Sequence, residues 1–135
     1  MVKKKLVQAS GSRKTAVARA TVSDGTGLVR INGMPLDVYT PQISREKIQE
    51  PLLLLPDIAP KVDIKIKVFG GGVSSQAEAI RLAIARAVSD YSGSEQVKKT
   101  LADYSRHLLI ADVRRKEPCK PNTSKARAKR QKSYR

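Results

Sequence analysis

Hydrophobic and polar residues alternate in two stretches of the chain, and a period of two is typical of a half-buried β-strand. In residues 13–22, positions 16, 18, 20 and 22 are Ala or Val, and Arg or Thr fill most positions between them. In residues 62–69, Val and Ile alternate with Asp and Lys. Each stretch predicts a strand with one buried face. The small residues of the first should let a helix approach closely.

Turn signals divide the N-terminal third of the chain into three strands. Ser, Gly and Ser at 10–12 separate residues 5–10 from the strand at 13–22. The sequence DGTG at 24–27 is a hairpin signal that leads into a third strand at 28–31. We therefore expect an antiparallel meander of three strands.

The strongest helical pattern covers residues 75–91, where apolar side chains recur every three or four positions. Ser75 and Glu78 have the spacing of a capping box at its start. A further helix should begin at Ser94, after the glycine that ends the first one.

An earlier helix is predicted after Thr40, which can cap its N-terminus, with Pro41 at the first helical position. Pro51 should kink or end this helix, because proline lacks the amide donor that a helix interior needs. Together the patterns predict an α+β domain with a four- to five-stranded mixed sheet and helices on one face.

Charge separates the last 22 residues from the rest of the chain. Residues 114–135 contain ten Lys or Arg and one acid, a net charge of +9, whereas residues 1–113 carry +6 of the total +15. They contain no Val, Ile, Leu, Met, Phe or Trp, so they cannot bury enough apolar surface to offset the entropy of ordering. We expect a globular domain at 1–113 and an extended basic tail at 114–135 that is disordered without a polyanion.

Catalysis and metal binding find little support. His107 is the only histidine, and although Asp103 lies one helical turn before it, no nucleophile stands at a recognisable spacing. One histidine and one cysteine, Cys119, do not make a zinc site. We expect no enzymatic activity, no metal, no cofactor and no small-molecule substrate.

A soluble intracellular protein is expected. The basic N-terminus is not followed by the apolar region of a signal peptide, and the longest strongly apolar run, at 52–55, is too short to span a membrane. A single cysteine allows no disulfide within the chain. The tail lacks Phe, Leu and Trp that could insert into lipid, which favours RNA over a membrane as its partner.

Two short motifs leave alternatives open. Gly70, Gly71 and Gly72 before a helix could hold one phosphate of a nucleic-acid backbone or could simply permit a tight turn. Arg13 and Lys14 beside a turn could be a solvated strand end or part of a phosphate-binding face that continues into the tail.

Five motifs in this order resemble the family of the universal ninth protein of the small ribosomal subunit, and they cover nearly the whole chain. The ending QKSYR and the junction RRKEP resemble its archaeal and eukaryotic branch. The motifs are GSRKTAVARATVSDGTG at 11–27, RINGMPLDVY at 30–39, VFGGGVSSQAEAIRLAIARAV at 68–88, LLIADVRRKEP at 108–118 and QKSYR at 131–135.

The resemblance implies a structural constituent of the small-subunit head, cytoplasmic and in the ribosome, beside neighbouring head proteins. It also implies a left-handed βαβ crossover, against the usual hand. The tail would thread between rRNA helices towards the peptidyl-site tRNA, which the last residues would contact: Lys132, Ser133, Tyr134 and Arg135. The implied rRNA-binding residues are Arg13, Lys14, Gly70, Gly71, Gly72, Arg114, Arg115, Lys116, Lys120, Lys125, Arg127, Lys129 and Arg130.

Three other classes of protein share part of this pattern. A basic nucleic-acid-binding module outside the ribosome is the main alternative and should bind free duplexes as well as it binds subunits. An enzyme on a related fold would need a pocket with perturbed ionisable groups. A membrane-surface tether would need to bind anionic vesicles through its tail.

Overall fold

A computed structural model describes residues 5–134, and within them the chain forms one five-stranded mixed sheet and three α-helices. The predicted α+β class and the strand number are confirmed. The strands are β1 Leu6–Arg13, β2 Ala16–Asp24, β3 Val29–Ile31, β4 Met34–Pro35 and β5 Val62–Phe69. The helices are α1 Gln42–Leu53, α2 Val73–Ser92 and α3 Glu95–Tyr104, with short 3-10 turns at Leu36–Val38, Ala59–Lys61 and Arg106–Leu108.

The strand order in the sheet is β1-β2-β5-β3-β4. The predicted meander of the first three strands is therefore wrong, because β5 lies between β2 and β3. Asp63 at the start of β5 contacts the turn after β2: its carboxylate accepts hydrogen bonds from the backbone N–H groups of Thr26 (2.8 Å) and Leu28 (3.0 Å). These bonds hold the turn after β2 against β5, and β3 continues on the far side of β5.

β3 and β5 run parallel, whereas the other neighbouring strands are antiparallel. A parallel pair needs a crossover connection, and here β4 and α1 supply it. The left hand that the resemblance implies for this crossover stays a prediction.

The turn between β1 and β2 lies at Lys14 and Thr15, so the turn predicted at residues 10–12 is wrong. Within the turn, Lys14 has a positive φ of 53°. Gly11 lies within β1 instead, where it pairs with Ala18 of β2. A Cβ at Gly11 would lie 2.4 Å from the backbone oxygen of Ala79 on α2. The glycine thus serves the close approach of a helix, as the small residues of β2 were expected to do.

One face of the sheet forms the core together with α2 and with Ile48 of α1. Alternate residues of β2 and β5 are buried there, which confirms the two strands predicted from alternation. They are Ala16, Ala18, Ala20, Val22, Val62, Ile64, Ile66 and Val68, and from α2 they meet Ile80, Ile84 and Val88.

Helix ends differ from the predictions. The N-cap of α1 is Pro41 rather than Thr40, and α1 continues through the buried Pro51 to Leu53. α2 begins at Val73 with Gly72 as its N-cap and has no side-chain cap, so the predicted capping box is wrong. Its second member, Glu78, instead binds Arg13.

The tail follows the last 3-10 turn. Residues 109–134 contain no helix or strand, and nearly all side chains described after residue 113 are exposed. Whether residues 114–135 gain order only with RNA stays a prediction. In the described part of the chain, no helix is long and apolar enough to cross a membrane.

Candidate nucleic-acid interface

The start of the tail is tied to the domain by a cluster of charged side chains. Arg13 of β1 places Nε 2.6 Å from Oε2 of Glu78 on α2, and its Nη1 lies 3.1 Å from Oδ2 of Asp112. Arg114 binds the same Asp112, with its Nη2 2.6 Å from Oδ2 and its backbone N 2.9 Å from Oδ1. We call these four residues the acid clamp. It fixes the point at which the tail leaves the domain, beside the β1–β2 turn.

Within the acid clamp, Asp112 and Arg114 each favour the charged form of the other. Hydrogen bonds from the Arg114 side chain and backbone, helped by the charge of Arg13, hold the pKa of Asp112 well below its usual range. The bond to Asp112 raises the pKa of Arg114 in turn. Asp112 therefore balances positive charge where the domain meets the tail.

Arg13 was one of the residues expected to face RNA. Its side chain is 16% exposed and is held by two carboxylates, Glu78 and Asp112. The structure thus gives Arg13 a role inside the protein, and an RNA contact from it stays a prediction.

Lys14 has the opposite environment. It is exposed at the tip of the β1–β2 turn, and its backbone oxygen accepts a hydrogen bond from Nη1 of Arg115. Lys14, Thr15, Arg114, Arg115 and Lys116 line a groove beside the acid clamp, together with Arg13. We call it the root groove. Among the described residues, Lys14, Arg115 and Lys116 form no ion pair, so their charges are available to an anion.

The glycine turn lies against this groove. A Cβ at Gly70 (φ 75°) would lie 2.6 Å from the backbone oxygen of Thr15, and one at Gly71 (φ 68°) would lie 2.9 Å from Cβ of Ala16. The tight-turn interpretation therefore accounts for Gly70 and Gly71. Gly72 differs, because a Cβ there would meet nothing within 4 Å and its φ is −103°. It stands at the N-terminus of the 20-residue helix α2, where backbone amides and the helix dipole favour an anion.

The rest of the tail carries separate cations on a segment without helix or strand, and turns and bends occur at residues 121–127. Arg127 lies 2.9 Å from Glu117, and both side chains are largely exposed, so this pair can exchange with phosphate. Lys132, Ser133 and Tyr134 are exposed, and Arg135 lies outside the described residues. Lys120, Lys125, Lys129 and Arg130 are exposed and form no ion pair within the described chain.

Sequence reasoning missed Asp112 and Glu78, which set the geometry of the tail's start. The sequence did contain a pattern that could have predicted the pairing of Asp112 with Arg114. Asp112 is the only acid between residues 104 and 116 and precedes Arg114 by two positions. Glu78 could not have been paired with Arg13, because 65 residues separate them in sequence.

His107 and Asp103 are both exposed, and no hydrogen bond or ion pair joins them in the described structure. Within residues 5–134, no group of three or more His, Cys, Asp or Glu side chains could hold a metal ion.

Comparison with known proteins identifies the family. A sequence model described as ribosomal protein S9/S16 matches residues 11–135. The chain is 44% identical over 131 residues to small ribosomal subunit protein uS9 of Methanothrix thermoacetophila, covering 97% of this chain and 99% of that relative. It is 47% identical over 131 residues to small ribosomal subunit protein uS9 of Desulfurococcus amylolyticus, covering 97% and 94%. The chain therefore belongs to the ribosomal protein S9/S16 family and is a ribosomal protein of the small subunit.

Proposed function

We propose that the chain binds rRNA of the small-subunit head through the root groove and the tail, and that it acts as a structural component rather than an enzyme. One observation carries the proposal: the acid clamp neutralises Arg13 and Arg114 but leaves Lys14, Arg115 and Lys116 exposed where the tail departs. A folded anchor and a polycationic segment then meet rRNA as one continuous surface.

Lys and Arg bind phosphates without reading bases, so the shape of the folded rRNA must supply specificity. The tail has ten cations, of which Arg114 and Arg127 already have a carboxylate partner. If the other eight each met a phosphate, the binding constant would fall with salt at a log–log slope of about −6 to −7. Binding that depends on salt this steeply suits a protein retained in a ribonucleoprotein particle.

We further propose that the end of the tail contacts peptidyl-site tRNA in the cytoplasmic ribosome. The family resemblance supports this role, and so does the exposure of Lys132, Ser133 and Tyr134. Fully extended, the tail reaches at most about 70–80 Å from its clamp, enough to cross from a surface-mounted domain to a distant site. Arg135 is the outermost cation and would meet the tRNA backbone. Neighbouring head proteins complete the set of partners.

The test uses small subunits assembled with full-length or shortened protein. Deleting residues 132–135 should leave assembly intact but weaken peptidyl-site tRNA binding, measured by filter binding. The control variant, Lys98→Gln with Lys99→Gln, also removes two positive side-chain charges, but from exposed positions on α3. Subunits that contain it should bind tRNA normally. Normal tRNA affinity in the deleted subunits would refute the tRNA contact.

A second deletion tests anchoring. Removing residues 114–135 should release the protein from subunits at a salt concentration that the intact chain withstands. Co-sedimentation of the tailless domain equal to that of the intact protein would refute rRNA binding by the tail.

A further inference from the structure

The second face of the sheet carries a group of cations that neither the tail nor the root groove includes. Residues that alternate with the buried ones point away from α2, and no described element covers them. We call this surface the open face. Its exposed cations are Arg19 on β2, Arg30 on β3, and Lys65 and Lys67 on β5.

Strand register brings these cations together in pairs. Arg19 is directly opposite Lys67 in the β2–β5 ladder, and Arg30 is the partner of Lys65 in the β3–β5 ladder. Like charges opposite each other destabilise a sheet. The free protein therefore carries an unfavourable interaction that a bound polyanion would relieve.

None of the four cations takes part in an ion pair within the described structure. The nearest acid along β5, Asp63, holds the backbone of the turn at Thr26 and Leu28. Four cations outnumber this acid, so the strand residues of the open face keep a net positive charge.

An exposed aromatic ring adjoins the cations. Phe69 at the end of β5 is 53% exposed, and the guanidinium carbon of Arg19 lies 5.9 Å from the centre of its ring. An aromatic ring beside a basic groove is how proteins bind unpaired nucleotides, with phosphates on the cations and a base stacked on the ring. An acidic peptide would use the cations but leave the ring without a partner.

We propose that the open face is a second RNA-docking surface, separate from the root groove and the tail. An rRNA strand crosses the sheet with its phosphates at Arg19, Arg30, Lys65 and Lys67, and one unpaired base stacks on Phe69. This inference rests on the proposed rRNA binding and adds a face to it. The domain then meets rRNA on the side of the sheet opposite its helices.

The test measures binding of the full-length protein to purified small-subunit rRNA over a range of salt concentrations. Replacing Arg19, Lys65 and Lys67 by Gln should reduce the log–log salt slope by about 2 to 3. The matched control replaces Lys98, Lys99 and Arg106, three exposed cations away from the open face, and should change the slope by less than 1. Arg19→Lys keeps the charge and should keep the slope.

Phe69→Leu tests the stacking step, since it keeps an apolar side chain but removes the ring. Affinity for the rRNA should fall about 5- to 100-fold with the salt slope unchanged. Thermal unfolding of the variant with Gln at positions 19, 65 and 67 checks that its reduced salt slope does not come from misfolding. Its Tm should equal or exceed that of the parent, because like-charge pairs have been removed.

Other outcomes overturn the inference. An unchanged salt slope in the triple variant removes the open face from RNA binding, and weaker binding to poly-glutamate with unchanged rRNA binding assigns it to an acidic protein partner. Deleting residues 114–135 separates this failure from failure of the proposed function. If the deletion flattens the slope and the triple variant does not, only the open-face inference fails. If the parent protein itself binds rRNA without salt dependence, the proposed function fails.

Discussion

Nη1 of Arg13 lies 3.1 Å from Oδ2 of Asp112, which ties the first strand of the sheet to a residue two positions before the basic tail. The same guanidinium holds Glu78 on α2 through Nε at 2.6 Å. One side chain thus joins β1, α2 and the start of the tail. The direction in which the tail leaves the domain is set by the folded domain rather than by the tail's own composition.

Replacing Asp112 by Asn should loosen the start of the tail, because the neutral amide gives up its charge interactions with Arg13 and Arg114. Limited trypsin digestion after Arg114 and Arg115 should become several-fold faster, as resolved by mass spectrometry. Asp103→Asn removes an exposed acid from α3 and serves as the control. Equal cleavage rates in the two variants would contradict an ordered tail start.

The carboxyl group of Asp112 should titrate below an ordinary aspartate. Arg114 lowers its folded pKa, whereas the unfolded chain has a value of about 3.9. A depressed folded pKa contributes stability above the unfolded pKa, and that contribution is lost as the pH falls through the folded value. The clamp should therefore persist at a pH where a free aspartate is half protonated.

The carboxyl ¹³C chemical shift of Asp112, followed by NMR, measures this titration. Arg114→Gln removes the charged side-chain hydrogen bonds that do most to lower the pKa of Asp112, so it should raise the titration midpoint towards the unfolded value. A midpoint that is the same in the parent and in Arg114→Gln would show that Arg114 does not hold the carboxylate.

Arg13 and Lys14 are neighbours in sequence but should respond differently to substitution. Arg13→Gln removes the ion pairs from Arg13 to Glu78 and Asp112, so it should lower the free energy of unfolding by about 1 kcal/mol, while Asp112 keeps its bonds to Arg114. Lys14→Gln should leave stability unchanged, since Lys14 is exposed and forms no ion pair in the described chain, but it should reduce the salt slope of rRNA binding by about 1.

Urea unfolding and rRNA titrations, carried out on both variants, separate the two roles. If Arg13→Gln reduced the salt slope without changing stability, Arg13 would be a phosphate ligand and not a clamp residue.

Gly11→Ala should destabilise the domain by about 1–3 kcal/mol, because the added Cβ would come within 2.4 Å of the Ala79 backbone oxygen and force α2 away from β1. Gly72→Ala provides the control, since a Cβ there meets nothing within 4 Å. Thermal unfolding of both variants checks the difference. Equal Tm values would mean that α2 can shift at little cost.

Local patterns in the sequence predicted β2 and β5 well because their alternation between aliphatic and polar residues reports directly on which face is buried. They also predicted α2 to within two residues at each end. They failed at Gly11 and at Glu78. A glycine in a strand and a glutamate near a helix start have ordinary local explanations, and only the packing of α2 on β1 reveals their actual roles.

By itself, the sequence determined the α+β class, since apolar periodicity is a property of neighbouring residues, and its charge and composition predicted a tail that cannot form a core. Its motifs also indicated the family. The tertiary structure decided which strands pair: β5 lies between β2 and β3, and Asp63 at its start holds the turn after β2 through two hydrogen bonds. It also decided which cations already have carboxylate partners: Arg13 is held by Asp112 and Glu78, whereas Lys14 is exposed and forms no ion pair among the described residues. Both outcomes depend on contacts between residues far apart in sequence, which no local pattern encodes.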